Sequence, residues 1–382
     1  MKSVGVSICA LLVLGWAVVS APTAATAKSV TVNPGESIQA AVDDAAPGDT
    51  VKVMPGNYTE THTGSAAVKI TKSLKLIAKS KLPFEKVRIL PGGTQTDGIV
   101  VEGTEGSPVD GVLIKGFTVQ GFPNNGIWLK YVNNWKILNN ESIDNLENGI
   151  WPTLSANGLV KKNVAYGSQD SALWVEAAEN VRVLRNEFSY SPTGLEITVS
   201  KNVVAKKNNV HHNSVGIGLY HPNAASLPPL GGDGDWDISG NYVHDNNEPN
   251  TAPPGSMSAA LPSGTGILSL GVDNIKIRNN QVENHDFLGV GVVDWCIGAA
   301  LAGPGSGFDC VSNPPIVEPA PDNNEVTGND LFANGDSPPS GFETFAADLA
   351  LLGGVGTNNC FSDNTPGATT FPPTPPGLPA CP

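Results

Sequence analysis

The stretch "NGIWPTLSANGLVKKNVAYGSQDSALWVE", residues 148–176, carries Trp151 and Trp174, and the upstream "NGIWLK" adds Trp128. The two intervals are 23 and 23 residues in a chain with seven Trp, so the spacing calls for a repeat. Short Asn-ending segments follow the same beat: "WKILNN", "GLVKKN", "VRVLRN", "VVAKKN", "WDISGN" and "IKIRNN" place their last Asn at 140, 163, 186, 208, 241 and 280. The first three intervals are 23, 23 and 22, and the later 33 and 39 read as the same unit carrying insertions. Within a unit, "VVAKKN", "NVHHN" and "SVGIGLY" give three short strand-like runs rich in Val and Ile, punctuated by Asn and Gly. Such runs are too short and too β-branched for a helical repeat. Three short strands per unit cannot bury their apolar faces alone, whereas stacked units can. The expected architecture is therefore all-β, a single-stranded parallel β-helix. Asn suits its corners because it tolerates left-handed backbone and bonds to neighbouring turns.

The opening "VTVNPGESIQAAVDDAAPGDTVKVMPGNYTE" fits the start of the same solenoid: a strand, a short capping helix with Ile38, Ala41, Val42 and Ala45 on one face, then "TVKVM". A helix there covers a stack end that would otherwise expose core and unpaired strand edges. The expected division is a signal peptide over 1–27, the β-helix over 28–365, and a strap over 366–382, where "TPGATTFPPTPPGLPACP" is too Pro-rich for strand or helix. The segment "IQAAVDDAAPGDTVKVMPGNY" together with the repeats resembles right-handed parallel β-helix proteins of the pectate-lyase-like superfamily, over roughly residues 29–365. That resemblance implies a right-handed coil and a bias toward sugars. It does not imply one reaction, since the superfamily holds polysaccharide lyases, uronan epimerases, glycosidases, pectin esterases and members without known catalysis.

Composition narrows the setting. "MKSVGVSICALLVLGWAVVSAPTAATAK" has the layout of a secretory signal, with Ala25-Thr26-Ala27 before the cut, so a secreted or periplasmic protein is expected. The full chain has 22 Lys and Arg against 36 Asp and Glu, a net charge of -14, and loss of Lys2 with the signal makes it -15. That surface argues against nucleic acid, and no second apolar run argues for membrane insertion. The chain is expected to act as a monomer. Cys296, Cys310, Cys360 and Cys381 all lie in the last quarter. Pairing Cys296 with Cys310 and Cys360 with Cys381 makes two local staples, each worth ~3 kcal/mol, and the spacing does not fit zinc.

Diagnostic catalytic motifs are absent. "GSQDSAL" at 167–173 resembles part of the pectin methylesterase pattern, but the second Asp expected in the next coil is missing from "SPTGLEITV". The acidic elements of polygalacturonases and the Asp-Pro-His of alginate epimerases are missing too, with "LYHPN" a faint echo of the latter. "DGDWD" spaces Asp233, Asp235 and Asp237 like calcium ligands, yet lacks the Gly and distal Glu of such loops, so a solvated acidic turn is favoured. His211, His212, His244, Asp245 and His285 make a third candidate group, where turn hydrogen bonding is favoured over metal binding. No metal site and no cofactor is assigned; Ca2+ is the ion that lyase chemistry would require.

If the third strand alternates, Ile127, Ile150, Leu173, Leu195 and Ile217 point inward, and Trp128, Trp151, Trp174, Glu196 and Gly218 point outward. A second outward column reads Lys130, Thr153, Glu176, Thr198 and Tyr220. At roughly 4.8 Å per coil, the indoles form one exposed stripe leading to two glutamates. Trp128, Lys130, Trp151 and Trp174 are thus the candidate sugar-binding residues, and Glu176 and Glu196 the candidate acid/base pair. Stacked rings that simply brace adjacent coils, at ~0.5–1.5 kcal/mol per pair, are the competing use of the same interval. Tyr220 and His221 are the candidates for proton transfer in a lyase or epimerase, which would also need a positive group. The expectation is an exported protein that binds, and processes, a polysaccharide or oligosaccharide; the alternative is a non-catalytic glycan-binding or cell-surface structural protein.

Overall fold

The computed structural model describes residues 1, 26–80, 85–220, 234–303, 310, 319–353, 356–373 and 377–382. The expected signal segment and His221 therefore fall largely or wholly outside the described residues. Among the described residues, successive coils from Ser29 onward feed three parallel sheets of 14, 10 and 11 strands, the first sheet including the extra short strands Val109–Asp110 and Val132–Asn133. The first sheet runs from Ser29–Val32 to Cys360–Ser362, the second from Gly56–Thr59 to Asp330–Asn334, and the third from Ala66–Ile70 to Thr370–Phe371.

The core is built from aligned aliphatic columns. Ile127 pairs in register with Ile150, Ile150 with Leu173, Leu173 with Leu195 and Leu195 with Ile217, and all five are fully buried. Each buried aliphatic contributes about 1.5–3 kcal/mol over leaving it in water. The column stays in register because the equivalent position recurs after 23, 23, 22 and 22 residues. Helix α1, Ile38–Asp44, buries Ile38 and Val42 into the same core, and its Ser37 N-cap accepts from the Ala40 amide at 3.0 Å.

The corner asparagines bond from coil to coil. Asn140 Nδ2 donates to Asn163 Oδ1, Asn163 to Asn186, Asn186 to Asn208, Asn208 to Asn241, Asn241 to Asn280, Asn280 to Asn329 and Asn329 to Asn364, at 2.9–3.1 Å. The left-handed backbone expected of these asparagines is instead carried by the residue before: Asn139, Lys162, Arg185 and Lys207 have φ of 53°, 56°, 56° and 57°. The two roles proposed for one Asn are thus divided between neighbours.

Both local staples are present, Cys296–Cys310 and Cys360–Cys381, separated by 14 and 21 residues. The tail departs from expectation at one point. Thr370–Phe371 forms a short strand against Leu349 and Ala350, because these two residues precede Pro372 and still have free backbone groups to pair.

Candidate functional site

The outer surface of the third sheet holds Trp128, Lys130, Trp151, Trp174, Glu176, Glu196 and Tyr220. Trp128 pairs with Trp151 in register, and the rings of Trp128, Trp151 and Trp174 stack with centroids 5.2 Å apart and planes within 10° and 5° of parallel. All three are half-buried. The stripe takes the form of a stacked ladder, the competing use of the interval: mutual stacking fills the inner faces, leaving ring edges and the two ends of the pile. Lys130 closes one end, its Nζ 5.9 Å from the Trp128 ring centre and 5.8 Å from that of Tyr131. At the other end the column continues with Glu196 beside Trp174 and then Gly218 beside Glu196.

Trp151 and Trp174 each bond to the second outward column of the next coil, whereas the buried Trp128 Nε1 has no partner among the described residues. Trp151 Nε1 donates to Glu176 Oε2 at 3.1 Å, and Trp174 Nε1 to Thr198 Oγ1 at 2.8 Å. Thr153 Oγ1 adds a second bond to Glu176 Oε2 at 3.0 Å. Glu196 Oε2 accepts from Ser171 Oγ at 2.6 Å.

The glutamates point outward as expected, but they are not exposed: Glu176 is 6% and Glu196 4% accessible, and Tyr220 is fully buried. For Tyr220 the cover comes from segments distant along the chain. Leu261, from the insertion over 246–264, packs in one apolar cluster with Tyr220, Leu268 and Leu270, and helix α2, Trp295–Ala302, adds Trp295 and Ala299. Ser258 of the same insertion donates to Asp170 Oδ1 at 2.6 Å.

Burial sets the protonation. Desolvation raises Glu176 to about 7, with the bonds from Thr153 and Trp151 opposing it and the Asp170 charge adding to it. Desolvation, then the Asp170 charge, pushes Glu196 well above the usual carboxylate range against the pull of Ser171. Asp170 is itself raised by desolvation, with Ser258 opposing. Tyr220 is pushed up by burial and then by Glu196; the Thr193 hydroxyl draws it down, yet neither hydroxyl completes a hydrogen bond of good geometry.

Asp170 was missed as a site residue because it lies one position before the strand, where alternation assigns no face. A signal existed: Glu147 and Asp170 are 23 apart, the coil interval, and both flank the indole stripe. Glu147 is raised by desolvation and by the charges of Asp170 and Asp97, and Asn125 Nδ2 bridges Asp97 at 2.9 Å and Glu147 at 3.3 Å.

The other candidate groups are used structurally. Asp235 pairs with Lys201 at 2.7 Å, and Asp237 binds Arg278 through Nε and Nη2 at 3.1 and 2.7 Å, while Asp233 lies outside the described residues. His244 uses Nδ1 on Asp245 at 2.7 Å and Nε2 on Asn209 at 3.0 Å, and His211 Nδ1 meets His212 Nδ1 at 2.9 Å. His285 replaces an asparagine in a buried ladder between Asn246 and Asn334. Among the described residues, no three His, Cys, Asp or Glu converge to hold a metal ion.

Solved structures share this fold at low identity. The A-module of mannuronan C-5 epimerase AlgE4 of Azotobacter vinelandii is 14% identical over 85% of this chain and 90% of its own, with a TM-score of 0.56. DFA-IIIase of Arthrobacter chlorophenolicus A6 is 15% identical over 85% and 80%, at 0.51. The Dettilon tailspike protein is 16% identical over 89% of this chain and 58% of its own, at 0.50. These likenesses are to carbohydrate-active β-helix enzymes and a phage tailspike, and they extend to the fold alone. No described helix is long and apolar enough to cross a membrane. No curated protein matches the chain in sequence. The family model for the right-handed beta helix region matches residues 84–227 and 125–303, together more than half of the 382 residues, and the chain belongs to that family.

Proposed function

We propose that this is an exported β-helix protein that binds a polysaccharide or oligosaccharide on the outer face of its third sheet and hydrolyses it at Glu196 and Glu176. The observation that carries the reading is the carboxyl of Glu176, buried beside Glu196, bonded by Trp151 and Thr153, and raised to about 7. A pair of carboxyls, one of them keeping its proton, is what glycoside hydrolysis needs. Glu196, which burial pushes well above the usual carboxylate range, is the proton donor to the leaving oxygen; Glu176, ionising near neutrality, is the base or nucleophile. Trp128, Trp151, Trp174 and Lys130 form the approach. Elimination or epimerisation at a uronate is disfavoured, because the carbanion needs a cation and Lys130 is committed to the rings at the far end of the pile. The disulfides fit an oxidising compartment.

The second reading, a non-catalytic glycan-binding or structural protein, is favoured by the mutual stacking of the indoles, which braces coils whether or not a sugar binds. The test is a screen of oligo- and polysaccharides for new reducing ends and for ultraviolet-absorbing unsaturated products. Reducing ends made by the wild type and lost by orders of magnitude in Glu196→Gln and Glu176→Gln are expected. Unsaturated products made equally by both variants would transfer the chemistry to Tyr220 and His221. No product from any glycan would leave the non-catalytic reading.

A further inference from the structure

The outer face of the first sheet carries a charge pattern that the third-sheet site does not use. Two outward positions on each strand form two columns along the solenoid. Over seven successive coils each strand puts one cation in these columns: Lys52, Lys75, Lys115, Lys136, Lys161, Arg182 and Lys206. The cation changes column at every coil, since Lys52 pairs with Ile77, Lys75 with Leu113, Lys115 with Leu138, Lys136 with Leu159, Lys161 with Leu184 and Arg182 with Val204. Those six aliphatics are all half-buried, and from the second coil onward one sits beside each cation. Among the described residues none of the seven cations forms an ion pair. In a chain with 22 Lys and Arg against 36 Asp and Glu, neither column holds an acid before Asp237, which Arg278 binds. A face that served solubility alone would carry the majority charge as well. At the adjoining corner Lys162, Arg185 and Lys207 add a second line, one per coil, along a shallow groove whose lining includes one acid, Glu187.

The pattern advances along the solenoid axis by one coil, roughly 4.8 Å, and steps sideways by two residues, roughly 6.6 Å. Like charges directly opposite on neighbouring strands repel, and the alternation avoids that while keeping a cation on every coil. A matching ligand is linear, carries one negative charge per unit about as long as a coil is high, and turns that charge to alternate sides. An extended β-1,4-linked uronan does all three, because each pyranose carries one carboxylate and is flipped relative to its neighbours. The aliphatic beside each cation offers an apolar surface to the C–H face of the ring. Nucleic acid bases would want aromatic side chains to stack on, and neither column has one over these coils. A membrane would want protruding apolar anchors, and among the described residues the exposed large hydrophobics lie elsewhere.

We propose that the outer face of the first sheet binds an acidic linear polysaccharide, an extended uronan lying along the solenoid axis. This surface is separate from the third-sheet site and does not depend on it. The protein holds an acidic glycan on one sheet while the other stays free for its own chain.

The experiment is calorimetric titration of the wild-type protein, at low and at physiological salt, with a β-1,4-linked glucuronate oligomer of seven sugars. The comparison ligands are the uncharged cello-oligomer of the same length, an oligoglutamate and a single-stranded oligonucleotide of the same charge, and phosphatidylglycerol vesicles. The glucuronate oligomer should bind at least about tenfold tighter than each of the others and weaken as salt is raised. Replacing Lys136→Gln, Lys161→Gln and Arg182→Gln together should weaken it about tenfold or more. Equal affinity for the cello-oligomer would overturn the role of the cations. Equal affinity for the peptide or the oligonucleotide, or tighter binding to the vesicles, would overturn the uronan. Uronan binding that survives the triple substitution and falls in Trp174→Ala would move the chain to the third sheet and overturn the first-sheet surface. Reducing ends lost in Glu196→Gln report on the third-sheet reading separately. Because the ligand comparisons use the wild type, they hold even where the triple variant fails to fold.

Discussion

Trp151 donates its indole N–H to Glu176 at 3.1 Å while both its faces lie against Trp128 and Trp174. One side chain therefore braces three coils and helps to set the protonation of a buried acid. Trp151→Ala removes two stacked pairs, about 1–3 kcal/mol together, and Trp128→Ala or Trp174→Ala one pair each. Chemical denaturation of the three variants should rank Trp151→Ala as the least stable. Trp151→Phe keeps a ring but removes the donor, so Glu176 should titrate above its wild-type value of about 7, which carboxyl-carbon NMR reads directly.

Stability should fall as pH rises toward neutrality. Folded Glu176 keeps its proton to about 7, whereas the unfolded chain loses it near 4.5, so its contribution is full below the lower value and lost through the upper. The effect is on the order of 3 kcal/mol for this group. Glu196 and Asp170, also raised, act in the same direction. His285, buried and lowered to about 4, acts oppositely: its contribution is present above 6.5 and lost as pH falls toward 4. Glu176→Gln leaves that histidine untouched. Denaturant midpoints of variant and wild type should diverge between about pH 5 and about pH 8, with the variant gaining relative stability at the higher pH.

The asparagine ladder should be unforgiving. Asn186 accepts from the Asn163 amide and side chain at 2.9 and 3.0 Å and donates to Val160 O and Asn208 Oδ1 at 3.1 and 3.0 Å. Asn186→Ala strands these partners in the interior, at about 1–3 kcal/mol per group left unsatisfied. The exposed Asn57→Ala, on the strand Gly56–Thr59, should cost far less. Thermal unfolding of the pair makes the comparison.

Replacing Cys360 and Cys381 by Ser frees the tail. The bridge closes a 21-residue separation, and its loss should cost about 3 kcal/mol. Limited proteolysis should then cut first within the Pro-rich tail, and cleavage elsewhere would contradict the strap.

The coil was legible because its evidence is local and periodic. Ile127, Ile150 and Leu173 repeat at 23 residues, and alternation within a strand fixes which side each faces. The helix at Ile38–Asp44 was readable from its apolar face for the same reason. The cover was legible only in outline: the insertions after the third strands of later coils pointed to a wall over 246–264 and 296–321, but that Leu261 and Trp295 pack on Tyr220 and that Ser258 bonds Asp170 follows from no period. The indole interval gave the pile but not its consequence, since a 5.2 Å ring separation leaves no room for a sugar between rings. Asp170 hid in a quoted motif because its face follows from a turn, outside the strand rule that located its neighbours.

The most direct test of the glycan site is a crystal structure of the Glu196→Gln protein with a mixed oligosaccharide soak. The expected result is a chain of sugar units along the Trp128–Trp174 stripe, with a glycosidic oxygen beside position 196 and Glu176 on the other side of the sugar it joins. Sugar bound on another sheet, with the third-sheet face empty, would contradict the account.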